Sequence, residues 1–507
     1  MTTRPLHLLR LLILALTAAC AACALQETTP VKPVSRGGTP PGASQERPKG
    51  PEYVAPHLAI GQEGRPYLVW LAVKWRKSWD VLFSRSEDFG ATWSQPISFK
   101  PEKGTVAGGI RIATGPSGNV YAVWREWDPK IKIRHVQFVR SQDHGVHWDE
   151  PPRLLSASSD VGIPTLLTDH DGGVFVASLA GPRSHRFLEV AILHDFGATF
   201  PSTPIRLTAA FPTSQYGITN HRFASNERGH LYVVWEEIKT LLDQRIYLNR
   251  SLDQGKTWAT HPILVSTPEE GEHRAHSPQI ITAPEGRVYV AWEQDEFGVG
   301  NREQPGEIRK ADRVLYVNRS LDYGLTWLPQ PIRLNETGQG PVASSWPQLS
   351  TDQKGNVYAI WLEEEGSSRA RLLFTRSTDF GMTWSGPRVR LDLSSPFKGW
   401  LFNPEVRSDD AGHVWVLWQE MAPGPKGWQL LINRSEDHGE SWGTQATALT
   451  GPSQRGRRFR DVSFLNDMHG RLYVAWDGGP ENSEEIFFNR STDFGATWLS
   501  REVRVGR

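Results

Sequence analysis

Cysteine is almost absent from this chain: two in 507 residues, Cys20 and Cys23, both close to the N-terminus. Everything after residue 23 therefore holds together without a disulfide, and it offers no thiolate metal site. Net charge is absent too, with 56 Lys and Arg against 56 Asp and Glu. That balance removes any global electrostatic reason to bind nucleic acid or an anionic membrane surface. No apolar run is long enough for a membrane-spanning helix. There is no phosphate loop, no Gly-x-Ser-x-Gly elbow and no zinc-ligand spacing, so neither a metal nor a cofactor is expected. Methionine is scarce at four residues, whereas tryptophan reaches 21. The 46 Gly and 36 Pro suit a chain of short strands and many tight turns.

The two cysteines end a targeting-type segment. Arg4 and Arg10 give a basic start, an apolar stretch runs to Leu16, and Thr17-Ala18-Ala19 precede Cys20. This resembles a bacterial lipoprotein signal over residues 1–19, with Cys20 as the lipidated residue. Cys23, after Ala21-Ala22, is the alternative, and an ordinary signal peptide is a further one. Ala21 after the lipidated Cys is not an Asp, which favours an outer membrane where the cell has one. Residues 20–52 are rich in Pro, Gly, Ser and charge. They cannot bury enough surface to offset their ordering entropy and are expected to form a tether to a folded region, 53–507.

That region is a repeat. Ser-x-Asp-x-Gly-x-Thr-Trp recurs from Ser86, Ser251, Ser320, Ser377 and Ser491, with near-copies from Ser141 and Ser435 and a degenerate one, Leu193 to Phe200. The aspartates are Asp88, Asp143, Asp195, Asp253, Asp322, Asp379, Asp437 and Asp493. About fifteen residues before most boxes lies an apolar run opened by Gly and closed by Trp, such as Gly64 to Trp70 or Gly470 to Trp476. A short Pro-containing strand precedes that run, a strand ending in Arg-Ser precedes the box, and another strand follows it. Four strands per unit, A to D, place the box at the C–D turn. The Asp carboxylate can accept backbone N–H groups across its turn, and the Gly supplies a left-handed conformation. Fourteen of the 21 Trp are box or strand-B residues, so most of the tryptophan is core.

These motifs resemble the Asp-box, or BNR-repeat, β-propellers of the sialidase superfamily, over residues 53 to 505. The resemblance implies an all-β propeller, with eight four-stranded blades; seven or six blades plus extra strands are the alternative. It also implies that the boxes lie on the face opposite any functional site. The B–C and D–A connections then form the working face. Segments after strand B put Arg125, Glu126, Glu236, Glu293, Glu363 and Glu420 there, and D–A loops add Arg222, Arg274, His276 and Arg458. Trp346, Trp400 and Trp428 offer aromatic faces beside them. Acids, arginines and aromatics around one mouth suit a sugar or an acidic ligand.

Sialidases carry three Arg, an Asp acid/base and a Tyr nucleophile assisted by Glu, the first Arg in a Phe-Arg-Ile-Pro motif. Phe459-Arg460-Asp461-Val462 puts Arg460 in that register, with Asp477 or Glu484 as candidate acid. Arg111, in Ile110-Arg111-Ile112, falls three residues out of it. The catalytic set is incomplete, since no unit has a matching Tyr. The leading expectation is therefore a monomeric, lipid-anchored propeller that binds a glycan or protein partner on this face without catalysis. A sialidase-like glycoside hydrolase and an assembly scaffold for a membrane complex are the alternatives. The four Asn-Arg-Ser sequences at Asn249, Asn318, Asn433 and Asn489 look like glycosylation sites, but they are repeat positions ending strand C.

Overall fold

The computed structural model describes residues 52–506, apart from 75–77, 102–104, 157–160, 183–185, 201–202, 209–216, 241, 267–272, 297–311, 336–342, 366–368, 387, 423–426, 452–458, 460, 468 and 480–483. The expected signal segment, Cys20, the tether up to residue 51, Arg458 and Arg460 lie outside the described residues, while Glu52, expected to end the tether, already belongs to the first strand.

The described residues are all-β, with short 3-10 turns only, and form thirty-two strands in eight consecutive sets of four. Blade 1 runs from Glu52–Ile60 (A) through Pro66–Lys74 (B) and Ser78–Arg85 (C) to Ile97–Phe99 (D). Blade 8 runs from Val462–Asn466 (A) through Leu472–Gly478 (B) and Glu485–Ser491 (C) to Val503–Val505 (D). Both begin at strand A and end at strand D, so no strand is borrowed to close the ring. Each strand A lies against the strand A of the next blade, and that of blade 8 lies against that of blade 1. The molecule is a β-propeller.

Why strand B is apolar throughout follows from this stacking. Its residues have a neighbouring blade on both faces, so strands such as Leu231–Ile238 are buried at nearly every position. Among the described residues the core divides into eight clusters, each drawn from two consecutive blades. One joins Leu58, Leu68 and Trp70 of blade 1 to Tyr473, Ala475 and Phe488 of blade 8. Apolar burial therefore sits between blades rather than within one, as a sheet that cannot cover its own faces requires.

The box turns are built as the motif implies. Asp379 Oδ1 accepts the N–H groups of Met382 (3.0 Å) and Thr383 (2.8 Å) and the Ser377 hydroxyl (2.7 Å), and Oδ2 accepts the Thr383 hydroxyl (2.6 Å). The Ser377 hydroxyl oxygen in turn accepts Gly381 N–H at 2.8 Å. The residue after each box Asp adopts positive φ, and in blades 2, 5, 6, 7 and 8 its N–H bonds the A–B turn of its own blade, as His144 donates to Gly118 O (2.8 Å) and Phe380 to Gly355 O (3.1 Å). A–B turns and boxes therefore share one face, and B–C and D–A connections share the other.

Two stitches were invisible as such in the sequence. The Arg before the box reaches the next blade in blades 2, 4, 6 and 7: Arg140 Nη1 donates to Phe196 O (3.1 Å), Arg250 Nη1 to Tyr323 O (2.5 Å), Arg376 Nη1 to His438 O (2.8 Å) and Arg434 Nη1 to Phe494 O (3.3 Å). Hydroxyls ending strand A bond the previous strand A, Thr114 to Ile60 O (2.8 Å) and Thr168 to Thr114 O (2.7 Å). The Asn-Arg-Ser asparagines are buried and bonded to backbone, as Asn433 Nδ2 is to Gly443 O at 2.9 Å.

Candidate functional site

Strand A is longer than its proline suggests. In blades 1, 2, 4, 5, 6 and 7 its pairing with strand B slips once, between Val54 and His57, Gly108 and Arg111, Thr219 and Arg222, His276 and Gln279, Ser345 and Gln348, and Phe402 and Glu405. The slip is a β-bulge, after which pairing resumes; in blades 1, 5, 6 and 7 it also absorbs the missing donor of Pro56, Pro278, Pro347 and Pro404, while blades 2 and 4 have Ile110 and His221 there. This corrects one expectation: Arg222, Arg274 and His276 lie on strand A itself rather than on D–A loops.

One position of each strand A, just past the bulge in the six blades that have one, lies opposite the residue before the strand-B Trp or its equivalent. It holds His57, Arg111, Thr165, Arg222, Gln279, Gln348, Glu405 and Ser463. All eight are polar and half-buried, on strands that surround the axis. Arg111 Nη1 lies 3.0 Å from His57 Nε2 and donates to Ile110 O at 2.7 Å. Arg222 Nη1 donates to His221 O at 3.1 Å. Among the described residues neither guanidinium has a carboxylate within ion-pair distance. Arg111 is pushed down to about 10 by burial and then by the charge of Arg222, with Asp461 acting the other way. Burial lowers Arg222 as well. Both remain charged at neutral pH. Burial and the neighbouring arginines hold His57 well below the usual imidazole value and bring His221 to about 3, so both rings are neutral.

A second cluster spans blades 4 to 6. Direct cross-strand pairing sets His276 opposite Glu293, and Arg274 and Arg313 on either side of Asp295. Asp295 meets Arg313 Nε at 3.1 Å and Arg274 Nη1 at 3.4 Å. His276 lies 3.6 Å from Glu293 and 3.5 Å from Asp295. Burial works to lower His276, but Asp295, Glu293 and Glu236 outweigh it and raise the imidazole. Burial works to raise Asp295, but His276 and Arg313 hold it at about 2. Glu236, which accepts Asn220 Nδ2 at 2.7 Å, is pushed up by burial despite His276 and Arg274. Glu293 accepts the backbone N–H of Trp346 in the next blade at 3.0 Å.

The remaining sequence candidates disperse. Glu126 and Glu420 are fully buried acceptors for the indoles two residues before them, Trp124 (3.4 Å) and Trp418 (3.3 Å), and Glu420 also binds the Ser395 hydroxyl (2.6 Å). Glu363 accepts the Ser344 hydroxyl at 3.3 Å. Arg125 is half-buried on strand B of blade 2, opposite Gly108. Asp477 is buried and accepts Asp461 N–H at 3.3 Å. Glu484 is buried, and its carbonyl accepts Tyr53 N–H at 3.0 Å where the ring closes. The arrangement brings Arg222 together with Arg111 and His57, two residues the sequence reading did not select. Their signal was present: a polar residue recurs right after the proline position of strand A.

A cavity of about 210 Å³ also opens on the box face between blades 1 and 2, lined in part by Tyr67, Asn119 and His144. Its Tyr67–His144 bond (3.2 Å) repeats in blade 6–7 as Tyr358–His438 (3.1 Å), which marks it as a seam between stacked turns. The axial mouth, where the chemistry differs from blade to blade, is the candidate site.

No family model matches the chain, and a search of curated proteins finds no relative. Solved structures do resemble it. The polysaccharide lyase Uly1 matches with a TM-score of 0.48 and 11% identity, covering 92% of this chain and 94% of that one. A family PL25 ulvan lyase matches with a TM-score of 0.47 and 14% identity, over 74% of this chain and 90% of that one. The Hadza microbial sialidase Hz136 matches with a TM-score of 0.39 and 14% identity, over 74% and 73%. These neighbours are glycan-acting proteins by name, and the identity is too low to match their residues to this chain's.

Proposed function

We propose that this propeller is a glycan-binding protein whose axial mouth holds an acidic sugar through Arg111 and Arg222. One observation carries the reading: two half-buried guanidiniums occupy the same polar ring, on blades 2 and 4, and among the described residues neither has a carboxylate within ion-pair distance. Like charges held together in a partly desolvated mouth are relieved by an anion, and a planar carboxylate or a sulfate fits the guanidinium fork. The neutral hydrogen-bonding groups on the same ring, Thr165, Gln279, Gln348 and Ser463, suit hydroxyls. His57 Nε2 is engaged by Arg111 and serves to position it. Calorimetric titration with trigalacturonate tests the reading, on the wild type and on Arg111→Ala and Arg222→Ala. Unchanged affinity in both variants would overturn it.

A second reading, glycosidic hydrolysis, is favoured by one feature: carboxyls in one cluster with opposed shifts, Glu236 raised and Asp295 held at about 2. Turnover of fluorogenic glycosides, sialosides and uronides included, that Glu236→Gln abolishes would replace the binding reading with it. We further propose that Cys20 carries a lipid that places the propeller at the cell envelope. Cys20→Ser should then release the protein from the membrane fraction.

A further inference from the structure

Six blades carry a residue of positive φ in the strand-A bulge: Ala55, Gly109, Asn220, Ser277, Trp346 and Asn403. Gly and Asn take this conformation readily, and small residues tolerate it; a tryptophan at φ 61° is a genuine outlier. A bulky residue in left-handed backbone costs about 1–3 kcal/mol unless the surroundings over-determine it. Here they do, since buried Glu293 of blade 5 holds the Trp346 N–H at 3.0 Å. What is held is not core: Trp346 is 39% exposed, unlike the strand-B tryptophans at 0%. It stands two residues ahead of Gln348, on the rim side of the polar ring.

The next blade continues this surface. Trp400, 43% exposed, lies opposite Met421, which lies opposite Trp428. Phe402 packs on Trp428 with ring centroids 4.8 Å apart. The sheet edge of blade 7 thus shows an aromatic row to solvent on the face that carries the mouth.

We propose that Trp346, with Trp400 beyond it, is a stacking platform for successive sugar rings, so that the ligand is an acidic oligosaccharide chain rather than a single terminal sugar. The proposal rests on the binding reading above. Pyranose rings present flat C–H faces that pack on indole, while their hydroxyl edges stay in water. Strain retained to expose an indole is explained by contact with a ligand, and nothing in the packing of the described residues calls for it.

The test is chain length. Galacturonate oligomers of one to six residues are titrated alongside neutral cello- and xylo-oligosaccharides, into the wild type, Trp346→Asn, Trp400→Ala and Arg111→Ala. Asn is the residue that two sibling blades place at this φ, so Trp346→Asn should melt no lower than the wild type. It should leave the monomer's affinity unchanged and remove about a tenfold gain between monomer and hexamer. Wild-type hexamer affinity in both Trp variants, while Arg111→Ala weakens binding, overturns the platform and leaves the anion site standing. Binding of neutral oligomers alone, weakened in Trp346→Asn, keeps the platform and removes the anion site. Failure of every oligosaccharide to bind the wild type overturns both.

Discussion

On the box face the seven full turns are near copies. The backbone N–H four residues after the Asp meets its Oδ1 at 2.8 Å in every one. Across the sheet, at the mouth, the ring position runs His, Arg, Thr, Arg, Gln, Gln, Glu, Ser with no repeat rule beyond polarity. The two regions obey different constraints. A box must satisfy its own turn, seat on the A–B turn and, in several blades, receive the preceding blade's Arg, so few residues fit. The axial edge of strand A has no further strand to match, and its bulge frees the side chain from the ladder. What stands there is set by what enters the mouth.

The largest effect expected from breaking this comparison is on binding. Arg111→Ala or Arg222→Ala should weaken trigalacturonate binding by about 10- to 100-fold, the value of a charge-assisted hydrogen bond of about 1.5–3 kcal/mol. Neither should lower the melting temperature, because each removes a half-buried charge that has no carboxylate within ion-pair distance among the described residues. A clear fall in melting temperature would make the pair structural and erase the distinction between the faces.

The box face should show the opposite pattern. Asp379→Ala loses bonds to Ser377, Met382 and Thr383 and should cost about 1–3 kcal/mol of stability with no change in affinity. The degenerate turn of blade 3 sharpens the point. There Leu193 replaces the Ser, and Asp195 retains the Thr199 hydroxyl at 2.7 Å. Asp195→Ala should therefore cost under about 1 kcal/mol. Denaturant midpoints of the two variants check this, and equal losses would mean the carboxylate network contributes nothing beyond one bond.

The same asymmetry decides what the sequence could reveal. Eight box aspartates and seven Gly-to-Trp runs declare the blades, because identical turns demand identical residues. Strand A was legible only as a short Pro-containing piece. A proline signals the end of regular pairing, and nothing local says that pairing resumes after a bulge, so Arg274 and His276 read as loop residues; strand A of blade 4 has no proline to mark it at all, so Arg222 did too. Arg111 was set aside because it fell out of the register of an arginine motif, whereas the mouth selects by position on the bulge. Glu126 and Glu420 looked like rim acids because charge usually means exposure. The indole two residues earlier in each case, Trp124 and Trp418, was the available hint that they are buried acceptors.

The smallest expected effects are on the pH dependence of stability, where the two mouth clusters should have opposite sign. His221 stays neutral when folded, at about 3, because burial and Arg222 disfavour its charge. As pH falls below the unfolded value near 6.5 the unfolded chain gains a proton that the folded one refuses, so stability drops, by up to about 1.4 kcal/mol per pH unit. His276 is raised by Asp295, Glu293 and Glu236. Its contribution is complete below 6.5 and is lost as pH climbs through the folded value. Urea midpoints between pH 5 and 8.5 should thus rise on the acid side in His221→Gln relative to wild type. His276→Gln should flatten the alkaline side instead. The boxes stay silent in that window. Asp143, Asp379 and Asp437 sit near 2, as hydrogen bonds outweigh their burial, so their contribution fades only between about pH 4 and pH 2. If His221→Gln and His276→Gln change the curve in the same direction, the mouth is one electrostatic unit, and the division into an anion-holding half and an acidic half fails.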